Sequence, residues 1–104
     1  MEVQVISSGR ELTLTFYGEL DHHGARDTML KTERAIEAAM PRKLTMDFSG
    51  VSFMDSSGIA VVMRAYRRMN GIGGRMELCR VPAQAKKVFD AAGIPVRANE
   101  KEGG

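Results

Sequence analysis

Apolar and polar residues alternate in the first part of the chain and predict two strands. Val3 to Ile6 has the composition of a short strand, and alternation over Leu12–Tyr17 is typical of a half-buried strand. The segment between them, Ser7-Ser8-Gly9-Arg10, has the composition of a tight turn. Together these elements predict a hairpin, which a loop over residues 18–24 follows.

Helical periods replace this alternation at three places. The first predicted helix starts at Ala25 and is stopped by Pro41, which lacks the N–H that a helix interior needs. The second covers about residues 56–69, where a glycine-rich segment ends it, and the third covers about residues 82–93. The predicted buried stripes are Ala25, Met29, Thr32, Ile36 and Met40 in the first helix, Ile59, Val62, Met63, Tyr66 and Met69 in the second, and Ala85, Val88, Phe89 and Ala92 in the third.

Three further segments have strand character. They are Leu44–Phe48, which Ser49-Gly50 interrupts, Met76–Leu78, which ends near Cys79, and Ile94–Val96 as a last short edge strand. The predicted order is β-β-α-β-α-β-α, an α/β fold with a mixed sheet of four or five strands covered by helices. Because strand–helix–strand units cross over right-handedly, the strands around the second helix are predicted to be parallel.

The composition favours one domain over residues 1–98, with a flexible polar tail over residues 99–104. The 15 basic and 13 acidic residues nearly balance and Trp is absent, so no nucleic-acid binding is expected. A single cysteine excludes an intrachain disulfide and fits a reducing compartment. No apolar run approaches about 20 residues and the N-terminus has no signal-peptide character. We therefore expect a soluble cytoplasmic protein without membrane contact.

The segment Asp55-Ser56-Ser57 stands where a predicted strand gives way to a predicted helix. A helix N-terminus carries unpaired N–H groups and partial positive charge, so a serine there can be a cap, a nucleophile or a phosphate acceptor. The nucleophile elbow G-x-S-x-G is absent because residue 54 is Met, and no base for a hydrolase is identifiable. Either Asp55 or Ser56 is expected to supply the capping oxygen, and the residues alone leave the cap and the phosphate acceptor as open alternatives.

Three other motifs carry weaker chemical signals. His22-His23 has no further ligands at metal-binding spacing, so no metal site is expected there, and Asp21 is a candidate N-cap of the first helix. Gly71–Gly74 is interpreted as a helix stop, because it lacks the Gly-Lys-Ser/Thr ending of a phosphate loop. Arg64 belongs to a basic stretch that is either a solvated face or a partner surface. Without a complete catalytic constellation, the residues indicate a small binding module and no enzyme.

Three segments resemble the STAS-domain anti-sigma factor antagonists, and together they cover nearly the whole chain. They are Leu14–His23, which ends in Gly-Glu-Leu-Asp-His-His, Met46–Ile59, which contains Asp-Phe-Ser and Asp-Ser-Ser-Gly, and Gly73–Cys79, continued by Lys86–Gly93. The combination is specific, whereas Asp-Ser-Ser-Gly alone is not. The resemblance implies the STAS fold and a non-enzymatic regulator of transcription, of the class that acts in sporulation or stress response.

The resemblance also implies a partner-switching mechanism. The unphosphorylated antagonist binds an ATP-bound anti-sigma factor that is also a serine kinase, which releases the sigma factor. Phosphorylation by that kinase dissociates the complex, and a serine phosphatase resets it. By position the acceptor is Ser56, with Ser57 as a minor alternative, and the implied partner-binding residues are Asp21, Asp55, Ser56, Ser57, Gly58, Ile59 and Arg64. No cofactor or metal is implied, and the free protein is expected to be a monomer.

The chain departs from the family pattern at several positions. Ala60 replaces a glycine of the second helix, Arg64-Ala65 stand where Gly-Arg is common, and Gly24 replaces a hydroxyl residue before the first helix. The chain also ends soon after Val96, and the C-terminal helix of longer relatives is expected to be missing or reduced. These differences bear on which kinase is the partner.

Two other classes of function stay open at this point. One is a STAS module in a different signalling pathway, or one that binds a nucleotide or a small ligand. The other is a small hydrolase that uses Ser56 together with His22 or His23. Transfer of one phosphate to Ser56 by a kinase, or hydrolysis of an ester that requires Ser56, would distinguish them.

Overall fold

A computed structural model describes residues 1–96, and over these residues four strands and three helices follow one another in the predicted order. The elements are β1 (Glu2–Ser8), β2 (Glu11–Leu20), α1 (Ala25–Ala39), β3 (Lys43–Met54), α2 (Ser57–Gly71), β4 (Arg75–Cys79) and α3 (Ala83–Ala91). The strands lie in the spatial order β1-β2-β3-β4, with β1 antiparallel to β2 and the other pairs parallel. The mixed sheet, the opening hairpin and the parallel β3–β4 pair are thereby confirmed.

The core lies on one face of the two central strands. The parallel register sets Leu12 beside Leu44 and Leu14 beside Met46, so alternate residues of β2 and β3 form one apolar layer. Burial of each such side chain stabilises the fold by about 1.5–3 kcal/mol. The layer consists of Leu12, Leu14, Phe16 and Leu20 of β2 and Leu44, Met46, Phe48 and Met54 of β3, all of them buried.

Three phenylalanine rings fix α3 to this layer. The ring centroids of Phe16 and Phe48 are 5.3 Å apart, and Phe89 of α3 meets Phe48 edge-on at 5.6 Å. All three side chains are fully buried, and such pairs add to their burial energy because an aromatic edge is attracted to a ring face. The position of α3 is thus set by the core.

Strands β2 and β3 are longer than predicted. The sequence predicted a loop from Gly18 and a break at Ser49-Gly50, but both strands continue, to Leu20 and Met54, through two shifts of register. Gly50 does not interrupt the strand. A glycine is needed there because the Tyr17 ring packs directly onto its backbone and a Cβ would lie 2.7 Å from the Phe16 carbonyl oxygen. The glycine therefore serves close packing inside a continuing strand.

The buried face of α2 differs from the prediction. Tyr66 and Met63 are exposed, whereas the smaller residues Val61 and Ala65 are buried against the sheet and α1. The prediction was confirmed at Val62 and Met69 and was wrong at Met63 and Tyr66, because it favoured large apolar side chains and the close packing of α1 on α2 selects small ones. The observed buried residues of α2 are Gly58, Val61, Val62, Ala65 and Met69.

Two further expectations about ends of elements were wrong. Met40 is exposed and forms the C-cap of α1 in the left-handed conformation, with its N–H bound to the Ile36 carbonyl. Ile94–Val96 forms no strand, because the Ile94 N–H closes the end of α3 on the Phe89 carbonyl at 2.9 Å and Pro95 has no N–H to donate. The predicted tail, residues 99–104, lies outside the described residues.

Over residues 1–96, no helix is both long and apolar enough to cross a membrane.

Candidate functional site

The carboxyl ends of β2 and β3 bring the candidate residues together. Because the two strands are parallel, the loop after Leu20 and the segment after Met54 begin at the same edge of the sheet. The Asp55 N–H donates to the Leu20 carbonyl at 3.3 Å, which ties the two segments to each other. We call residues 54–58, from Met54 to Gly58, the strand–helix junction.

Asp55 caps α2. Its Oδ1 accepts the Ser57 N–H at 2.8 Å, and its Oδ2 accepts the His22 N–H at 3.3 Å. Of the two candidates for the capping oxygen, the structure thus selects Asp55. The hydrogen bond from the Ser57 N–H, opposed by partial burial and aided by His22, holds the pKa of Asp55 below its ordinary value of 3.8. The junction therefore carries a fixed negative charge at neutral pH.

Ser56 occupies the N-cap position of α2 and leaves its side chain exposed. Its hydroxyl forms no capping bond: Asp55 accepts the Ser57 N–H with its carboxylate and the Gly58 N–H with its carbonyl at 3.0 Å, and the Ser56 carbonyl accepts the Ile59 N–H at 3.1 Å. Among residues 1–96, no hydrogen bond joins Ser56 to His22 or His23. The geometry therefore presents to solvent, at a helix N-terminus, a hydroxyl that neither His22 nor His23 contacts by a hydrogen bond.

Ser57 is placed differently from its neighbour. It is half-buried in the first turn of α2, and both its N–H and its hydroxyl interact with the Asp55 carboxylate. A half-buried hydroxyl beside a carboxylate is less available to another enzyme than one that faces water. The two serines, which the sequence could only rank by position, thus differ in the exposure of their hydroxyl groups.

Gly58 lets α2 approach the strand ends. The residue is buried, and a Cβ there would lie 2.6 Å from Cγ and Sδ of Met54 and 3.1 Å from Cδ2 of Leu20. Its φ is not in the left-handed region, so the requirement is for space and not for backbone freedom. The first turn of α2, and with it Ser56, rests on the ends of β2 and β3.

The loop before α1 forms the other side of the site. Asp21 was expected as the N-cap of α1, but Gly24 holds that position, since the chain makes an extra turn first. Asp21 Oδ1 accepts the N–H groups of His23 at 3.1 Å and Gly24 at 3.3 Å, and its carbonyl accepts the Ala25 N–H at 2.9 Å. Asp21 thus shapes the loop that brings the His22 N–H to Asp55.

The rings of His22 and His23 lie at the surface of the loop before α1. Their rings stack with centroids 4.0 Å apart and lie in solvent, 72% and 80% exposed. Within residues 1–96 no group of three or more His, Cys, Asp and Glu side chains is arranged to hold a metal ion. The nearest charged partner of His22 is Asp55, with Nδ1 and Oδ2 4.0 Å apart.

The other two predicted partner-binding residues lie along α2. Ile59 is half-buried in the first turn, beside Ser56. Arg64 lies about two turns beyond Ser56, which is about 12 Å along the helix axis. Its Nε donates to Glu33 Oε2 of α1 at 2.8 Å. Arg64 is half-exposed, so one part of it joins α1 to α2 while the rest faces solvent.

Helix α3 contributes two residues that the sequence interpretation missed. A groove of about 440 Å³ between the first turn of α2 and α3 is lined by Ser56, Ile59, Gln84 and Lys87, with Val88, Ala91 and Ala92 as its apolar floor. The Gln84 side-chain amide also bonds the Met54 backbone 30 residues away, which no local pattern indicates. The packing of Phe89 on Phe48, far apart in the sequence, helps to bring α3 to this place.

Comparisons with known proteins agree with this geometry. The model of the STAS domain family matches residues 2–98. An anti-sigma F factor antagonist from Paenibacillus polymyxa is 30% identical over 93 residues, which are 86% of this chain and 80% of that protein.

Two solved structures share the fold over 95% of this chain at 28% identity. The anti-sigma factor antagonist SpoIIAA in its unphosphorylated form superposes with a TM-score of 0.78 over 90% of its own chain. The Bacillus cell fate determinant SpoIIAA in its phosphorylated form superposes with a TM-score of 0.70 over 94% of its chain. The family match covers nearly the whole described length, and the sheet order and the strand–helix junction agree with it. The chain belongs to the STAS domain family.

Proposed function

We propose that this chain is an anti-sigma factor antagonist whose binding is switched off by phosphorylation of Ser56. In this proposal the unphosphorylated chain binds an ATP-bound anti-sigma factor that is also a serine kinase, and the sigma factor is released. The observation that carries the proposal is the exposed Ser56 hydroxyl at the start of α2, which makes no capping bond. The relatives support it, since one is named an anti-sigma F factor antagonist and SpoIIAA is described in phosphorylated and unphosphorylated forms.

The helix N-terminus explains why a phosphate would be tolerated there. A phosphoserine adds about −1.5 to −2 charges at neutral pH, and the dipole of a helix N-terminus favours an anion. We therefore expect the fold to persist after phosphorylation. The switch must then act at the surface that the partner contacts.

Electrostatic repulsion and bulk supply that effect. Asp55 is already ionised beside Ser56, and Asp21 lies in the adjoining loop, so a phosphate would concentrate negative charge on one small surface. A desolvated like-charge contact costs several kcal/mol, which corresponds to about a thousandfold loss of affinity. Phosphorylation would thus dissociate the complex without refolding either protein.

The remaining parts of the proposal follow from this switch. A serine phosphatase restores the binding-competent form, and the free antagonist is a monomer that needs no cofactor and catalyses no reaction. A sigma-factor switch acts where RNA polymerase acts, so we place the protein in the cytoplasm. Ser57, Gly58, Ile59 and Arg64 are included in the proposed contact surface together with Asp21, Asp55 and Ser56.

Intact-mass measurement tests the proposal directly. The chain is incubated with ATP and a candidate kinase, first the anti-sigma F factor of Paenibacillus polymyxa and then anti-sigma factors encoded near its own gene. We expect one phosphate on the wild type and on the matched control Ser57→Ala, and none on Ser56→Ala. A phosphate that persists in Ser56→Ala would assign the acceptor elsewhere, and no phosphate with any of these kinases would overturn the proposed mechanism.

The kinase experiment and an esterase assay separate the alternatives. A STAS module of another pathway would gain the phosphate from a kinase that controls a different regulator, so the identity of the active kinase decides the pathway. A hydrolase would need a base at Ser56, and the described hydrogen bonds provide none from His22 or His23. Ester hydrolysis by the wild type that Ser56→Ala abolishes would restore that interpretation.

A further inference from the structure

Strand β3 extends beyond its neighbour β4, and in this extension a side chain takes the place of a paired strand at Met54. β4 pairs with β3 only from Lys43 to Asp47, so the last residues of β3 have no strand on that side within residues 1–96. A backbone N–H and C=O without partners in a partly buried place are destabilising. At Met54 both groups are instead bonded by the side chain of Gln84.

The Gln84 amide replaces one residue of a neighbouring strand. Its Oε1 accepts the Met54 N–H at 2.8 Å, and its Nε2 donates to the Met54 carbonyl at 2.8 Å. The two bonds fix the peptide units before and after Met54, and the second of these carries the Asp55 N–H, which is bonded to Leu20. Gln84 therefore helps to fix the orientation of Asp55. The Asp55 carboxylate in turn caps α2 through the Ser57 N–H and accepts the His22 N–H.

The position of α3 does not depend on Gln84. Ala85 and Phe89 are buried, and the Phe89 ring packs on Phe48, so the core holds the helix. Gln84 itself is exposed along the groove that Ser56 also lines. Loss of its amide should therefore loosen the strand–helix junction locally and leave the rest of the domain folded.

We propose that Gln84 is a positioning residue for the phosphate acceptor, which links α3 to the strand–helix junction and holds Ser56 in the geometry that phosphoryl transfer needs. The inference rests on the proposed role of Ser56 and adds a residue outside the motif. Transfer from ATP forms a bond between Ser56 Oγ and the γ-phosphorus, breaks the bond to the ADP oxygen, and releases the hydroxyl proton to a base of the kinase. Gln84 takes part in none of these steps and acts only through Met54 and Asp55.

Backbone amide exchange, measured by NMR on the protein alone, provides the first test. In Gln84→Ala and in Gln84→Met, which keeps the length and bulk of the side chain, we expect exchange at Met54 to accelerate about tenfold or more. Gln84→Glu can accept the Met54 N–H but cannot donate to the carbonyl, so intermediate protection is expected. Gln4→Ala, which changes the other glutamine of the chain on β1, is the matched control and should leave Met54 unchanged.

Steady-state phosphorylation kinetics provide the second test, with whichever anti-sigma factor kinase phosphorylates the wild type. We expect kcat to fall about five- to tenfold in Gln84→Ala and Gln84→Met while KM changes by less than about twofold, since positioning affects transfer more than binding. Unfolding midpoints within a few degrees of wild type exclude loss of the fold as the cause.

The outcomes decide between positioning and packing. If Gln84→Met keeps the wild-type kcat, or if Met54 exchange is unchanged in Gln84→Ala, the proposal is overturned. A rise in KM alone would make Gln84 a contact of the kinase and also overturn it. If the wild type accepts no phosphate, the proposed function fails, and the exchange rates at Met54 still decide whether Gln84 fixes the junction.

Discussion

Asp47 and Asp55 lie eight residues apart and are stabilised in different ways. Asp47 is on β3, 3% exposed, and its carboxylate is paired with Arg80 and accepts the Ser49 N–H at 2.9 Å. Asp55 follows β3, is 33% exposed, and is held by the backbone N–H groups of Ser57 and His22. The buried carboxylate of Asp47 is thus fixed by an opposite charge. The carboxylate of Asp55 is fixed by backbone amides and remains accessible to solvent.

The pKa values of both groups are lowered, but for different reasons. Burial alone would raise the pKa of Asp47, and the hydrogen bonds from Arg80 and Ser49 outweigh it. The Ser57 N–H is the main cause for Asp55. A carboxylate that has a cation beside it is neutralised and serves the fold, whereas one held by amides keeps its charge, which adds to that of a phosphate next to it. The comparison predicts that Asp47 governs stability and that the strand–helix junction governs binding.

The largest expected effect is on binding at the junction. Ser56→Asp should weaken affinity for the anti-sigma factor by about a thousandfold, or about 4 kcal/mol, because the new charge adds to that of Asp55 at the interface. Titration calorimetry measures the affinity, and the unfolding midpoint should stay within a few degrees of wild type. Ser52→Asp, at an exposed position of β3, is the control and should bind normally. Full affinity of Ser56→Asp would contradict the electrostatic switch.

Removal of the buried carboxylate should instead affect stability. Asp47→Ala leaves Ser49 N–H and Arg80 without their acceptor and should lower the free energy of unfolding by about 2–3 kcal/mol. The loss is below that of a fully buried ion pair because the Arg80 side chain, 69% exposed, can turn to water. Urea denaturation measures it. Asp27→Ala removes an exposed pair with Lys31 and should cost about 0.5 kcal/mol or less, so equal losses would refute the distinction.

A methyl group at Gly58 tests how the junction depends on packing. Gly58→Ala should destabilise the fold by about 1–3 kcal/mol, because the Cβ would overlap Met54, which is fully buried and cannot easily move away. Gly71→Ala is a matched control in the same helix, since a Cβ there meets nothing within 4 Å. It should be neutral or stabilise by up to about 1 kcal/mol through helix propensity. Equal effects of the two substitutions would remove the case for close packing at Gly58.

The smallest effect is the acid dependence of stability. Both carboxylates have folded pKa values below the ordinary 3.8, so each contributes stability that is complete above that pH and is lost as pH falls through the folded value. Asp47→Asn and Asp55→Asn should therefore flatten the decline of the unfolding midpoint between about pH 4 and about pH 2. Thermal melts in a pH series measure it. An unchanged slope in Asp47→Asn would show that its pairing with Arg80 is not formed in solution.

The order of elements could be read from the sequence because it depends on local periodicity. Alternation over Leu12–Tyr17 and helical spacing from Ala25 each reflect one face of one element, and the turn at Ser7–Arg10 joins neighbours in the chain. The parallel β3–β4 pair followed from the helix between them. The junction at Asp55-Ser56 was visible as a change of period followed by small polar residues.

Only the tertiary structure decided which residues act at that junction. The bonds of Asp55 to His22 and of Gln84 to Met54 join residues 33 and 30 positions apart, and the sequence contains no local signal for such distances. The Tyr17 ring of the neighbouring strand fills the space beside Gly50, so a glycine is required at that position of β3. The buried face of α2 was set by the space that α1 leaves. Periodicity specifies what each segment becomes, and packing between distant segments specifies which of its groups are free to meet a partner.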